Sequence, residues 1–311
     1  MTTSFDRRRV NGPDETFQPI YNISLSNSNG ERPLWNLNEY SLLQDPCAMP
    51  TQSLTLHTQV TGPDGLNVMR IAQKNFNKRI DRRDAHDSRP IYIQPGIIPS
   101  ASGSALLESG NTKILCSVHG PRQVRGRQYA GKAELNVLFQ LAPFCNTERM
   151  KPGKETELPG PASLVQQALL PALRLELLPK SSIDVHITVL DSDTSTLGLV
   201  AMGVSAASTA LAQAGIEMLG MVMGSSASAA VTLPEQGMSE QRWLVDPALH
   251  EAAHANAHFM ICTIPALART TCYVLDGPIF DMNQVRVISD ILVARGIEMH
   301  AAAAQALYKL V

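Results

Sequence analysis

The most specific chemical pattern in the chain is a pair of histidines that flank a glutamate. His250, Glu251 and His254 fit the H-E-x-x-H spacing, in which one helical turn places both imidazoles on a zinc ion and the glutamate activates water. Glu298 could supply a third ligand, whereas His258 would lie about 12 Å from His250 along a helix, too far to join. A zinc peptidase is therefore one hypothesis. A five-residue pattern with two free positions also arises by chance, and these histidines can equally be surface-loop residues.

Two aspartates form a second candidate for chemistry. Asp191 and Asp193 follow a run rich in β-branched residues, 183–190, which indicates a strand. Aspartate is common in turns and at helix N-caps, and a helical segment begins near Leu197. We expect turn or capping roles for both side chains.

Basic side chains in two loop segments are candidates for contacts with a nucleic-acid backbone. They are Arg122, Arg125, Arg127, Arg149 and Lys151. Cationic groups bind phosphates without regard to base sequence. The alternative for each is ordinary solvated loop charge. The net charge of −2 gives the whole chain no bias towards nucleic acid, so any such contact must come from a local patch.

The composition limits the class of protein. With 311 residues, of which 44% are hydrophobic, the chain is long enough for one large or two small domains. Its five cysteines are scattered and lack C-x-x-C spacing, which indicates reduced thiols in the cytosol or nucleus. The arginines at positions 7–9 precede no apolar signal region, and no apolar run reaches the roughly 18 residues of a membrane helix. We expect a soluble protein.

The chain divides into a polar extension and a folded domain. Residues 1–88 contain only isolated apolar groups, so we expect them to be mostly disordered or extended. From residue 70 to residue 89 the extension becomes basic, either as a solvated linker or as a segment that touches RNA or an acidic partner. We expect the folded domain over residues 89–311.

Strands and helices alternate through this domain. Residues 104–108 and 113–119 predict a β-hairpin, closed by turn residues between them and ended by Gly120 and Pro121. Further strands are predicted at 135–141, 183–190, 242–245, 258–264 and 270–275, with one more between 216 and 230. Helices are predicted at 163–177, capped by Ser163, at 197–214, and from 282 to about 310, capped by Asp281. Such an order is typical of a layered α/β or α+β domain.

Residues 96–122 carry a longer pattern, GIIPSASGSALLESGNTKILCSVHGPR. This segment resembles the entry hairpin of the ribonuclease PH superfamily, Gly-Ser-x-x-x-Glu-x-Gly-x-Thr-Lys-Val-x-x-x-Val-x-Gly-Pro-Arg. Residues 142–145 and 167–173 also resemble sequence motifs of the superfamily. The resemblance covers roughly residues 89–311 and is strongest to the mRNA-transport-regulator subunits of the eukaryotic RNA exosome ring. It implies a ribonuclease PH-like fold, with a ribosomal protein S5 domain 2-like βαβ core and a mixed sheet packed with helices.

The two phosphate-site motifs of the superfamily are altered in this chain. The arginine-rich loop Gly-x-Arg-Arg-Ser-x-Glu-Ile corresponds to residues 153–160, which hold no arginine and two glutamates. The motif Leu-Gln-Ala-Asp-Gly-Gly-Thr-Arg corresponds to 190–197, where Asp193 could match the acidic residue but Leu197 stands in place of the arginine. A site without this cradle of arginines should not bind its phosphate nucleophile. The resemblance therefore predicts a member with no catalytic residues, no metal and no cofactor.

We expect a structural protein rather than an enzyme. The resemblance implies a non-catalytic subunit of the RNA exosome ring in the nucleus, nucleolus and cytoplasm. It would support 3′-to-5′ RNA processing and degradation, including rRNA processing and the turnover of mRNA and nuclear RNA. Its partners would be paralogous RNase PH-like subunits in a hetero-hexameric ring, S1/KH-domain cap proteins, and RNA in the central channel, which the five basic residues above would contact. The alternatives are an active phosphate-dependent 3′-5′ exoribonuclease and a zinc metallopeptidase built on residues 250–254.

Overall fold

The computed structural model describes residues 79, 81, 83–123, 131–145, 149–232, 240–278 and 282–309. Most of the extension over residues 1–88 lies outside these ranges, as do Arg125, Arg127 and the expected helix cap Asp281. The described part of the extension contacts the domain through Arg79, which is buried. Arg79 thus contacts the domain, although it lies ten residues before Arg89, where the sequence places the start of the fold.

The first sheet is built from five strands and is mixed. Its strands are β1 (Ile91–Pro95), β2 (Gly103–Ser109), β3 (Thr112–Gln123), β4 (Glu134–Leu141) and β5 (Ser181–Asp191). The strand order is β1-β2-β3-β5-β4. Only β4 and β5 run parallel, and the other pairs are antiparallel. One face of this sheet carries the fully buried side chains of β5, at positions 183, 185, 187 and 189.

The predicted hairpin is confirmed as β2 and β3. Ser109 pairs with Thr112, which leaves a two-residue loop whose first residue, Gly110, has a φ of +58°. Such tight hairpin loops require positive φ, which glycine adopts without strain. The prediction that Gly120 and Pro121 end the second strand is wrong. The pairing of β3 with β5 shifts register between His119 and Arg122 and then continues to Gln123.

The second sheet is antiparallel throughout. Its strands are β6 (Met223–Thr232), β7 (Glu240–Val245), β8 (Ala257–Ile264) and β9 (Arg269–Asp276), in the order β7-β6-β8-β9. All four agree with strands predicted from the sequence to within a few residues at each end. β8 is buried along nearly its whole length, because it lies inside the sheet with helices on both faces.

Within the residues that the structure describes, four α-helices accompany the sheets: α1 (Pro159–Leu169), α2 (Thr196–Gln213), α3 (Leu249–Ala253) and α4 (Met282–Tyr308). The prediction for α1 is wrong at both ends. The helix begins at Pro159, not Ser163, because the fixed φ of proline suits the first helical turn. It ends at Leu169, since Pro171 lacks the N–H that a continuing helix needs, and a 3₁₀ turn follows at Leu170–Ala172.

Helix α2 packs between the two sheets, against β2 and β3 on one side and β6 and β8 on the other. Its small residues allow this close approach. A Cβ on Gly224 of β6 would lie 2.4 Å from the carbonyl oxygen of Ala201. Buried serines of α2 accept backbone N–H bonds at the start of β6, from Gly224 to Ser205 Oγ (2.9 Å) and from Val222 to Ser208 Oγ (2.8 Å).

The length and hydropathy of α2 would also suit a membrane-spanning helix. Its mean hydropathy is 1.3, but 78% of it is buried inside the protein, which assigns it to the core. Helix α1 covers β4 and packs on α2, whereas α4 covers the opposite face of the second sheet and reaches β1. The layers are therefore sheet, helix, sheet, helix.

Candidate functional site

Two loops from different sheets meet at the N-terminus of α2. The loop after β5 contains Asp193 and Thr194, and the loop after β7 leads into α3. Thr194 Oγ1 donates to the Pro247 carbonyl (2.9 Å), and the Leu249 amide donates to the Asp193 carbonyl (3.1 Å). Ser195 caps α2 by accepting the Gly198 amide at 3.1 Å. The capping role expected of Asp191 or Asp193 therefore belongs to Ser195.

A buried ion pair links the start of the domain to the loop after β7. Arg89, which is 4% exposed, donates from Nε to Asp246 Oδ2 at 3.0 Å and from Nη2 to Oδ1 at 2.7 Å. The Arg89 amide also donates to Oδ2, at 3.0 Å. Its remaining terminal nitrogen donates to the Asp193 carbonyl at 3.1 Å. The guanidinium is thus occupied by groups of this same chain.

The electrostatics of this pair favour both charged forms. Burial would raise the pKa of Asp246, but the hydrogen bonds and charge of Arg89, with the charge of Arg83, hold that pKa below its ordinary value. Burial would lower the pKa of Arg89, but the hydrogen bond and charge of Asp246 and the charges of Asp193 and Asp81 raise it. Opposite charges within hydrogen-bond distance stabilise each other in this way.

A second buried arginine binds the glutamate of the H-E-x-x-H pattern. Arg79 donates from Nε to Glu251 Oε1 and from Nη2 to Oε2, both at 3.1 Å. Its other bonds go to four backbone carbonyls, those of residues 84, 87, 245 and 246. Glu251 Oε2 also accepts the Ala248 amide at 3.0 Å. The carboxylate is therefore a structural partner of Arg79 and is not free to activate a water molecule.

The two histidines of this pattern do not form a zinc site with it. Helix α3 spans only five residues, so His254 lies just beyond its end, and both His250 and His254 are exposed. Among the residues that the structure describes, no group of three or more histidine, cysteine, aspartate or glutamate side chains is placed to hold a metal ion. The geometry argues against the zinc peptidase hypothesis.

Asp193 is a connecting residue of the site. Its carboxylate accepts from Asn111 Nδ2 at 3.1 Å and lies 3.7 Å from Arg89 Nη1, and its amide donates to Thr112 Oγ1 at 3.0 Å. It thus ties the β2–β3 hairpin to the N-terminus of α2. Asp191, at the end of β5, is exposed.

A third loop, between β4 and α1, lies beside the end of β5. The Ala142 amide donates to the Val189 carbonyl (2.8 Å). The Cys145 side chain forms a hydrogen bond with Ser192. Burial and the charge of Asp191 raise the pKa of the Cys145 thiol, although the bond to Ser192 acts in the opposite direction. Arg149 and Lys151 lie exposed in this third loop.

Comparisons with known proteins agree with this arrangement of strands and loops. The profile of RNase PH, described as "3' exoribonuclease family, domain 1", matches residues 87–217. Exosome complex component Rrp41 of Methanopyrus kandleri is 34% identical over 201 residues, which cover 64% of this chain and 79% of the relative. The chain belongs to the RNase PH family.

Two further RNase PH relatives extend the comparison. Exosome complex component Rrp41 of Pyrococcus horikoshii is 35% identical over 217 residues, or 69% of this chain and 81% of the relative. Human exosome complex component MTR3 is 32% identical over 224 residues, or 68% and 79%. The crystal structure of rice Rrp46 superimposes with a TM-score of 0.62 at 18% identity, and covers 74% of this chain and all of the other. The predicted RNase PH-like fold is confirmed.

The loops that correspond to the two RNase PH phosphate motifs are both present but chemically altered. Residues 153–158 form a turn in which the Thr156 amide and hydroxyl both donate to the Gly153 carbonyl. Lys154 and Glu155 are exposed there. In the other loop, Leu197 occupies the position of the motif arginine and is half-buried. The described site therefore keeps the RNase PH scaffold, while its buried guanidiniums, Arg79 and Arg89, bind the chain's own carboxylates.

Sequence reasoning missed these two arginines as site residues. It grouped Arg79 with a basic linker and used Arg89 only to mark the start of the domain. For Arg89 the available signal was the resemblance of residues 82–90 to the Asp-Gly-Arg-x-x-x-x-x-Arg-Pro entry of the RNase PH fold, together with Asp246 after a strand; no such pattern includes Arg79. Their partners could not be read from it, because Glu251 and Asp246 lie 172 and 157 residues further along the chain.

The structure places the basic RNA candidates at two ends of the first sheet. Arg122 is exposed and pairs with Ser182 near the start of β5. Arg149 and Lys151 belong to the loop beside Val189, seven residues further along β5. At a rise of roughly 3.3 Å per residue, the two ends are about 23 Å apart. The backbone positions thus place these candidates near opposite ends of β5, and the RNA contacts remain predictions.

Proposed function

We propose that this chain is a non-catalytic, structural subunit of an RNA exosome ring. Family membership supports the ring, because relatives that are 32–35% identical over about two thirds of the chain are named exosome components in archaea and human. The proposal extends this to a subunit that supports 3′-to-5′ RNA processing and degradation without cutting RNA itself.

One observation carries the non-catalytic part of the proposal. Phosphorolysis needs guanidinium groups that face the inorganic phosphate and the scissile phosphodiester. Neither motif loop, 153–160 nor 190–197, contains an arginine. The two buried arginines of the described site, Arg79 and Arg89, are 5% and 4% exposed and are hydrogen-bonded to Glu251 and Asp246. They are unable to turn towards a phosphate without leaving a buried carboxylate unpaired.

The proposed role in RNA binding depends on exposed cations at the ends of the first sheet. Arg122, Arg149 and Lys151 would contact phosphates of RNA in the channel, with Arg125 and Arg127 as further candidates from sequence. Paralogous subunits would form the ring, S1/KH-domain proteins would cap it, and the assembly would act in the nucleus, nucleolus and cytoplasm. Fluorescence microscopy of the tagged full chain tests the location, and a signal confined to another compartment would contradict it.

A phosphorolysis assay tests the absence of catalysis. The purified full chain is incubated with an oligoribonucleotide, inorganic phosphate and Mg²⁺, and release of nucleoside diphosphates is measured. We expect no phosphate-dependent release. The variant Asp193→Asn provides the discriminating arm, with His254→Ala as the exposed control. Release that survives purification, is lost in Asp193→Asn and persists in His254→Ala would establish the alternative, an active exoribonuclease. The zinc content of the purified protein tests the other alternative, and zinc bound in stoichiometric amount would support the peptidase hypothesis.

Affinity purification tests the ring. The tagged full chain is isolated from its source cells at moderate salt, and its partners are identified by mass spectrometry. We expect RNase PH-family paralogues together with S1/KH-domain proteins. Recovery of the chain without paralogues would contradict the proposal.

A salt titration of the reconstituted assembly tests the RNA contacts. For single-stranded RNA each phosphate contact adds about 0.7 to the slope of log affinity against log salt. Arg122→Ala should lower that slope by about this amount, whereas Lys180→Ala, outside the proposed contacts, should leave it unchanged. Equal slopes for wild type and Arg122→Ala would refute a phosphate contact at Arg122.

A further inference from the structure

A small cavity lies where β2, β6, α2 and α4 come together. Its volume is about 30 Å³. Methionine, isoleucine and valine side chains form part of its wall, and the polar groups on it include Ser109, Ser225, Asp246 and Arg295. Because β2 belongs to the first sheet and β6 to the second, the cavity lies at the junction of the two sheets.

Two hydroxyls on this wall have no hydrogen-bond partner among the residues that the structure describes. Ser109 is 1% exposed and Ser225 is 6% exposed. The Oγ atoms of both are buried and bond to no protein group in the described structure. The buried serines of α2 behave differently, since Ser205 and Ser208 both accept backbone amides. A buried hydroxyl without a partner is unfavourable, so native proteins satisfy nearly all of them.

The charges on the wall indicate a neutral ligand. The Asp246 carboxylate is already neutralised by Arg89 at 2.7 Å. Arg295 donates to the Arg89 carbonyl at 2.7 Å and to Glu298 at 2.9 Å. An added anion would be repelled by Asp246, and an added cation would be repelled by Arg295, because both charges line the cavity. A ligand that both donates and accepts hydrogen bonds without net charge fits the two serines.

We propose that this cavity is a structural water site, in which one or two water molecules hydrogen-bond to Ser109 Oγ and Ser225 Oγ. A cavity needs about 10–15 Å³ by this measure to hold one water molecule, so 30 Å³ accommodates at most two. Each water can donate to one hydroxyl and accept from the other. The water then joins β2 to β6, which adds a hydrogen-bonded link between the two sheets beside α2. This inference does not depend on the proposed function.

Crystallography of the full chain, alone or in its assembly, tests the proposal at a resolution that shows ordered water. In the wild type we expect solvent density about 2.7–3.2 Å from each serine Oγ. The double variant Ser109→Ala with Ser225→Ala should lose this density. The control Ser205→Ala removes a buried hydroxyl that has protein partners, and should keep it.

Three results would overturn the proposal. The first is an empty cavity in the wild type. The second is an ion with contacts of about 2.3–2.6 Å, which are metal-ligand distances rather than hydrogen bonds. The third is rotation of both hydroxyls onto protein carbonyls. Because the wild-type structure alone decides among these outcomes, the test does not depend on whether the double variant folds.

Discussion

Removal of the charge on Asp246 should destabilise the protein strongly. In the variant Asp246→Asn the side chain keeps its size but can no longer neutralise Arg89, which is 4% exposed. Three hydrogen bonds of 2.7–3.0 Å join the two residues in the wild type. The variant therefore leaves a buried, charged guanidinium without a charged partner. Loss of one member of an ion pair lowers stability most when the remaining charge is buried in this way.

The expected magnitude follows from the burial of this pair. Breaking a buried pair by removal of one partner costs about 3–5 kcal/mol, because the remaining charge is uncompensated. Arg89→Met should cost a similar amount, since it leaves Asp246 unpaired. In the double variant neither charge remains. Its loss should be smaller than the sum of the two single losses by about 2–3 kcal/mol.

Urea unfolding of the full chain, followed by circular dichroism, measures these free energies. The exposed pair Arg174 and Glu217 provides a matched control, with side chains 53% and 64% exposed and a separation of 3.4 Å. Its single variants should change the free energy of unfolding by less than about 1 kcal/mol. Additive losses at Arg89 and Asp246, or an Asp246→Asn variant as stable as the wild type, would refute the reasoning.

The pH dependence provides a second check on the same pair. The pKa of Asp246 is lower in the folded protein than its unfolded value of about 3.9. The unfolded chain therefore binds more protons in this range, and the stabilisation is present above pH 3.9 and lost as the pH falls through the folded pKa. The difference in stability between wild type and Asp246→Asn should shrink below about pH 4. A difference independent of pH would contradict an ionic origin.

Three further predictions concern the core and the site. Gly103→Ala should lower stability by about 1–3 kcal/mol, because its Cβ would lie 2.2 Å from the Ala210 carbonyl oxygen. Gly160→Ala in α1, whose Cβ would meet no neighbouring group within 4 Å, should be neutral or stabilising. If the two variants unfold at the same urea concentration, this reasoning is wrong. Glu251→Gln should cost about 3–5 kcal/mol, because it also leaves a buried arginine, Arg79, without its charged partner. The exposed control His254→Ala should change the free energy of unfolding by less than about 0.5 kcal/mol, again measured by urea unfolding. Burial raises the pKa of the Cys116 and Cys262 thiols, so mass spectrometry should find both unmodified by iodoacetamide in the native protein at pH 8 and modified in urea; rapid native modification would show that one of them is accessible.

Local residue patterns were sufficient for most of the fold. The β2–β3 hairpin follows from strand composition on both sides of Gly110, and α2 from a run of small helical residues that ends at Gly215. These signals are local, because turn residues and side-chain alternation act within a few positions of the chain. The ends of α1 were missed because Ser163 resembled a cap, while Pro159 and Pro171 set the boundaries.

The sequence alone also determined which groups are missing from the motif loops, since the absence of arginine from residues 153–160 is a matter of residue identity. It could not determine what the remaining charges do. The basic segment around Arg79 suggested a solvent-exposed side chain, and the H-E-x-x-H pattern around Glu251 suggested a zinc site. In the structure the two side chains form a buried ion pair, although they are 172 positions apart in the sequence. Pairing of this kind depends on which segments the fold brings together around α2. Once buried, an unpaired charge is costly in free energy, so each charged side chain lies beside one of opposite sign. Only the tertiary structure decided that these arginines stabilise the fold.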